Sequence, residues 1–359
     1  MEELIQEEIQ QLCSLLDKEV DGQQPLKMDL IYNLSVVNAL WTLITGSRLS
    51  LGDPKIKELV SKIDELVKER GTGKLLIIFP WLRNVIPEKI GWNKQKRNFD
   101  NLFAFLDQVI DEHQVNFNDT LKENPNDFID AYLAQIQASK PGSSFYGSTG
   151  LKSLKITLLD LLLAGMETTS TALSWITLYM IRYPEVQAQV QAEILSNVGK
   201  SRLVNLEDRP NLPYTEAVIQ EVMRITCNVP LSVLHSAQAD IHVAGLHIPT
   251  GTSIIQNLHR VMSNPRIFAE PTFFRPDRFL QQGKYVKNDH NIPFSIGRRD
   301  CLGKSLAQAE LFLFFSTLMQ RFKFVSVHHE DLTRINMEPV VNFAQTPPPF
   351  EVIIKRLQN

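Results

Sequence analysis

Cysteine is scarce in this chain: three in 359 residues, at Cys13, Cys227 and Cys301. Odd in number and far apart, they exclude a disulfide framework and fit a reducing compartment, where thiolates survive. Charge of one sign is also missing. A formal net charge of −3 gives no support for nucleic-acid binding. The opening Met1-Glu-Glu-Leu-Ile-Gln-Glu-Glu-Ile lacks a basic region followed by an apolar one, so no secretory leader is expected. Clean hydrophobic runs are absent too. The most apolar stretch, Ile156 to Met180, is interrupted by Asp160, Glu167 and several hydroxyl residues. It predicts a buried helix instead of a membrane span, so the chain itself is expected to carry no transmembrane anchor. What is present, 43% hydrophobic and 21% charged residues, describes a globular protein long enough for a large core.

Helical periodicity dominates the first two-thirds. Leu4, Ile5, Ile9, Leu12 and Leu16 make one apolar stripe on an opening helix that ends near Gly22. Further helices are predicted at about 29–45, 53–70, 95–114 and 126–138, with turns at Gly46, Gly71, Gly73, Pro87 and Pro125. A loop over Pro141–Gly150 precedes a long helix from about Lys152 to Arg182. Pro184 starts the next helix, which Gly199 closes. After a helix ending near Cys227, short strand-like pieces follow at Ser232–His235, Ile241–Val243, His247–Ile248 and Ser253–Gln256. A meander through Pro265, Pro271 and Pro276 comes next, and Val340–Phe343 and Phe350–Lys355 read as late strands. No repeat or linker divides the chain. The expectation is a single domain over 1–359, mainly α with a small β subregion.

The most informative stretch is Phe294-Ser-Ile-Gly297-Arg-Arg299-Asp-Cys301-Leu-Gly303. A lone cysteine is usually a small buried hydrophobe, but these neighbours argue otherwise. Gly297 and Gly303 permit tight turning on either side of the sulfur. Arg298 and Arg299 put positive charge beside it. A helix expected from Leu302 to about Phe322 would add its N-terminal dipole, and both effects favour an anionic sulfur.

The pattern Phe-x-x-Gly-x-Arg-x-Cys-x-Gly, filled by Phe294, Gly297, Arg299, Cys301 and Gly303, resembles the haem-ligand loop of the cytochromes P-450. The resemblance implies that Cys301 is the axial ligand of haem iron. Ala164-Gly-Met166-Glu167-Thr168-Thr is similar to a second motif of that family. Read from residues alone, Thr168 either back-bonds to the Ala164 carbonyl and bends the helix or opens the ladder into a groove for O2 and water. The resemblance implies that Glu167 and Thr168 help to deliver protons during dioxygen reduction. Glu221-Val-Met-Arg224 sets acid and base three apart on a helix face. With Arg278 in Phe274-Arg-Pro-Asp-Arg278-Phe, the pair resembles the family's three-member ion network behind the cysteine loop. By the same resemblance His235 and Arg299 meet the haem propionates, although Leu234 stands where the family usually has proline. Ala164, Met166, Val229, Val233 and Phe343, with Asn342 and Ala344, are expected to line the substrate pocket.

Asn126-Asp-Phe-Ile-Asp and Leu212-Pro-Tyr-Thr-Glu resemble the microsomal animal class acting on drugs, steroids and fatty acids. That likeness implies a P-450 fold lacking roughly its first quarter: the anchor, first sheet strands, substrate-gating loop and a Trp-x-x-x-Arg helix. A fragment, a splice form or an incomplete gene model would each look like this. The implied activity is insertion of one oxygen atom from O2 into a small apolar substrate. It would use haem b (iron protoporphyrin IX), an NADPH-dependent flavoprotein reductase and cytochrome b5, on the cytosolic face of the endoplasmic reticulum membrane. Alternatives are a haem-thiolate isomerase or dehydratase, and an inactive truncated form acting only through partner association. A cysteine hydrolase is disfavoured, because no histidine stands in a motif-like relation to Cys301.

Overall fold

The computed structural model describes residues 1–20, 24–50, 52–69, 76, 79–327, 331–341 and 343–357. Gly22, Gly71, Gly73 and Asn342, singled out above, lie outside the described residues. The chain divides into two compact units, Met1–Gly22 with Lys27–Ser170, and Gln23–Leu26 with Thr171–Asn359.

The first unit is helical among its described residues. It comprises α1 (Glu2–Val20), α2 (Met28–Thr45), α3 (Pro54–Glu69), α4 (Leu82–Val85), α5 (Trp92–Asn116), α6 (Asp119–Glu123) and α7 (Phe128–Ala138), with the first part of α8 (Gly147–Arg182). The predicted stripe on α1 is its buried face, where Ile5, Ile9, Leu12 and Leu16 are all at most 1% exposed. That face packs on α2, which packs in turn on α3 and α7. Buried Glu8 joins α1 to α2 by accepting from Asn38 Nδ2 (2.9 Å) and Arg48 Nε (2.5 Å). Its burial pushes the carboxyl up, and the two donors oppose that. The helix α8 begins at Gly147, five residues before the expected start, so the end of the predicted loop is already helical. An 18-residue window of α8 is apolar enough to cross a membrane, and 56% of that window is buried within the protein.

A histidine clasp closes the corner between α5 and α7. His113, in the last turn of α5, donates from Nδ1 to the Val109 carbonyl (2.7 Å) and from Nε2 to Asp127 Oδ2 (3.2 Å). Both partners can only accept, so both ring nitrogens carry protons and the ring is an imidazolium. Asp127 Oδ1 meanwhile caps α7 by accepting from Asp130 N (2.8 Å). The Asp130 carboxylate, which accepts from Asn126 N, lies within 4.8 Å of the other two groups. The hydrogen bond to Asp127 pushes His113 up to about 9.

The second unit carries the rest of α8, then α9 (Pro184–Asn197), a 3-10 turn (Leu206–Asn211) and α10 (Pro213–Thr226). Two-stranded pieces follow: β1 (His235–Ser236) with β4 (Ser253–Ile254), and β2 (Ile241–Val243) with β3 (Leu246–Ile248). After α11 (Leu258–Met262) and a 3-10 turn (Pro276–Phe279) come β5 (Leu280–Gln281) and β6 (Lys284–Tyr285), then α12 (Lys304–Arg321). The chain finishes with β7 (Phe322–Ser326), β8 (Val340–Val341), β9 (Gln345–Thr346) and β10 (Val352–Arg356). Among the described residues the five strand pairs are all antiparallel. Glu193 of α9 takes the place of an N-cap for α10, accepting from Tyr214 N, Thr215 N and Thr215 Oγ1 at 2.7–2.8 Å.

Two expectations are corrected here. Strand β1 does not start at Ser232, because Ser232 has φ of +55° and turns the chain; pairing begins at His235. The residues after Arg321 form β7, which pairs with β10 on one edge. Its other edge is satisfied by buried glutamines: Gln187 bonds both main-chain groups of Phe324, and Gln191 donates to the Phe322 carbonyl.

The clasp predicts a pH signature. A group whose pKa is higher in the folded state stabilises fully below its unfolded value, about 6.5, and loses that effect as pH rises through about 9. The urea midpoint of the chain should therefore fall across that window, and His113→Phe should flatten the fall. Equal pH dependence in the two proteins would contradict the clasp.

Candidate functional site

The site is built outward from α10. Glu221 and Arg224 lie one turn apart on its buried face, with side chains 0% and 1% exposed. Arg224 donates from Nε and Nη2 to the two Glu221 oxygens, at 2.7 and 2.9 Å. Arg278, 8% exposed, reaches Glu221 Oε1 from Nε at 2.9 Å. The same oxygen accepts from Arg275 N at 2.9 Å. Remaining guanidinium donors go to carbonyls: Arg224 to Met262 and Pro271, Arg278 to Ala269, Glu270 and Phe273. The Arg224 guanidinium also lies 5.2 Å from the centre of the Phe268 ring. One carboxylate thus gathers the irregular chain between α11 and β5 onto α10, with its charge satisfied at every oxygen.

The cysteine loop follows that meander. Cys301 N donates to the Phe294 carbonyl (2.9 Å), closing the loop on itself. Gly297 turns it with φ of +90°, which a side chain would strain. The helix α12 begins at Lys304 with Gly303 as its N-cap, two residues later than expected. The reason is that the Cys301 N–H is committed to Phe294, while its carbonyl accepts from Lys304 N. Phe294 is half-buried, whereas Cys301, Arg298 and Arg299 are exposed. Among the described residues neither arginine side chain has an ion pair. Cys13 and Cys227 are buried, and burial pushes the Cys227 thiol up to about 12. Cys301 is the exposed thiol.

His235 stands in β1 opposite Ile254 of β4. Its Nε2 is buried without a hydrogen-bond partner. Leu231, Val233 and Leu234 before it are more than half exposed, as apolar side chains rarely are in a row. Val229 is half-buried and Phe343 exposed, and the neighbouring Gln345 N donates to the Asn228 carbonyl at 2.7 Å.

In the first unit, Ala164 is exposed, Met166 is buried and Glu167 and Thr168 are half-buried on α8. The Thr168 hydroxyl donates to the Ala164 carbonyl (2.6 Å). The helix runs unbroken from Gly147 to Arg182, so of the two readings given for Thr168 the back-bond is the one observed. The hydroxyl uses a free lone pair of that carbonyl and leaves the helix continuous. Gly165 has a packing reason: a Cβ there would come within 2.9 Å of Leu40 Cδ2 on α2. Ala164, Met166, Glu167 and Thr168 belong to the first unit, and the remaining site residues belong to the second.

The sequence model of the family described as Cytochrome P450 matches residues 1–354. Cytochrome P450 2J5 of Mus musculus is 38% identical over 335 residues, covering 93% of this chain and 65% of that protein. Cytochrome P450 2J2 of Homo sapiens is also 38% identical, with the same coverage, and Cytochrome P450 2L1 of Panulirus argus is 34% identical over 99% of this chain and 72% of that protein. This chain belongs to the cytochrome P450 family. It spans just under two thirds of the length of the first two of these relatives.

Membership implies a haem cofactor, and the second unit suits one. A buried ring nitrogen without a partner needs a polar group to meet it, and a propionate would do so. The exposed thiol, the unpaired Arg299 and the bared apolar side chains beside His235 are the remaining chemistry such a group requires. Sequence reasoning missed the Ser295–Gln256 and Asn291–Gln220 hydrogen bonds and the Phe268 ring against Arg224, because contacts of uncharged or ring groups far apart in the chain leave no spacing signal.

Glu221→Gln leaves two buried guanidiniums around a neutral amide. It should cost about 3–5 kcal/mol in urea unfolding and abolish stoichiometric haem uptake. A Glu221→Gln protein that kept wild-type stability and full haem content would refute the network's role.

Proposed function

We propose that this chain is the haem-binding part of a monooxygenase that inserts one oxygen atom from O2 into a small apolar substrate of the xenobiotic, steroid or fatty-acid class. The observation that carries the reading is the Phe294–Gly303 loop with its exposed Cys301 thiol, in the same unit as the unpartnered His235 Nε2. Cys301 would hold haem b through its sulfur, and His235 and Arg299 would hold the propionates. When bound, the cofactor supplies the centre at which O2 is reduced, using electrons from an NADPH-dependent flavoprotein reductase or cytochrome b5.

The chain's own residues supply position and protons. Phe294 and the Gly297 turn fix the path of the loop, so that the Cys301 sulfur projects from its end. The Thr168 hydroxyl donates its proton to the Ala164 carbonyl. Rotation about its Cβ–Oγ bond would then pass a proton onward, and half-buried Glu167 would restore it from solvent. Val229, Val233 and Phe343 of the second unit would offer apolar side chains to an apolar substrate. Residence on the cytosolic face of the endoplasmic reticulum membrane follows from the family likeness.

The test is reconstituted turnover. The haem-loaded chain with reductase, NADPH and O2 should oxygenate a lipophilic substrate. Cys301→Ala should abolish product, and Thr168→Ala should lower the product rate by about 10²-fold or more while NADPH is still consumed. Reductase-independent rearrangement of an organic peroxide, without any NADPH-dependent product, would replace this reading with an isomerase or dehydratase.

A further inference from the structure

Ser295 is the strained residue of the cysteine loop. It has φ of +62° and is buried, a conformation a non-glycine residue adopts only when its surroundings impose it. Gly297 two residues on has a comparable backbone with no such cost, so the strain at Ser295 needs a compensating contact. That contact is one hydrogen bond: Ser295 Oγ donates to Gln256 Oε1 at 2.8 Å. Among the described residues, no other side-chain hydrogen bond or ion pair ties residues 292–303 to another element. The backbone bonds from Ser295 to Ile292, Asp300 to Gly297 and Cys301 to Phe294 are internal to the loop, and its far end joins α12 where the Cys301 and Gly303 carbonyls accept from Lys304 N and Ala307 N. At its root Ile292 packs against Cys227, Leu258 and Met262, and Asn291 donates to Gln220.

Gln256 sits two residues beyond Ile254, the residue paired with His235 across β1 and β4. Ser295 directly follows Phe294, whose carbonyl holds the Cys301 N–H. We propose that Gln256 is a positioning residue. Through its hydrogen bond to Ser295 it fixes the cysteine loop against the β1–β4 pair, and so sets the spacing between the thiolate of Cys301 and the propionate-binding nitrogen of His235. The inference rests on the haem-thiolate reading for its consequence, but the tether itself does not. Glutamine suits the role because its amide oxygen accepts the serine proton without adding a second charge near the ligand sulfur.

The experiment uses the full chain with Gln256→Leu, Ser295→Ala, the double variant and Gln256→Glu, which keeps an acceptor oxygen. Amide hydrogen exchange at Cys301 is followed first in the haem-free proteins. Protection should fall by roughly two- to ten-fold in each single variant, the worth of one net hydrogen bond. The double variant should fall no further, because both changes remove the same bond, and Gln256→Glu should restore protection. With haem bound, Gln256→Leu should shift the reduction potential and broaden the Soret band, at unchanged overall stability to urea within that same factor. Unchanged protection in Gln256→Leu, or additive losses in the double variant, would overturn the tether. Lost protection with an unaltered spectrum and potential would overturn its positioning role. A wild-type protein without a thiolate-type spectrum would sink the haem-thiolate reading alone, and the exchange measurements would still decide the tether.

Discussion

Glu221 is a carboxylate withdrawn from water, and such a charge is tolerated only where positive charge and hydrogen bonds replace its hydration. Here two guanidiniums and one main-chain N–H surround it. The arrangement has a consequence beyond charge balance. Each guanidinium spends its other donors on carbonyls of the segment between α11 and β5, where no regular ladder could satisfy them. A stretch rich in proline and loops therefore gains one fixed path across α10. Lysine could not substitute for either arginine, because a point ammonium cannot bridge a carboxylate and two carbonyls in one plane.

The cysteine loop inherits its position from that path. The segment leaves the network at Arg278, forms the short β5–β6 pair and turns into Asn291, which is tied back to Gln220 on the same helix α10. Beyond this root the loop is tied to Gln256 by Ser295, closed by the Phe294–Cys301 backbone bond and enters α12 at Lys304. Such a loop carries an exposed thiol, and α12, whose central residues are buried, anchors its far end. The chemistry proposed for Cys301 thus depends on burial several elements away.

Much of this was legible in the sequence for particular reasons. The α1 stripe shows the helical period without interruption, and burial follows it at Ile5, Ile9, Leu12 and Leu16, with Leu4 half-buried at its edge. Glu221, Arg224 and Arg278 could be joined because charged residues at a motif spacing are visible in a linear string. Strand β7 was not legible, since the apolar run of α12 continues straight through Phe322 and Phe324 with no breaker residue to divide helix from strand. Its start is imposed by Gln187 and Gln191, more than 130 positions away. Thr168 offered two readings, and only the coordinates show which acceptor holds its proton. The left-handed turns at Ser232 and Ser295 were hidden for the same reason: serine gives no sign of positive φ, and tertiary contacts decide it.

The central claim is that Cys301 presents its sulfur to haem iron from a loop held in place by α10. Its most direct test is the visible spectrum of the full chain loaded with haem, reduced and exposed to carbon monoxide. The account predicts one haem per chain and a Soret band at the long-wavelength position of a thiolate-ligated haem, lost in Cys301→Ala. No stoichiometric uptake, or a Soret band at the shorter-wavelength position of nitrogen-ligated haem, would contradict it.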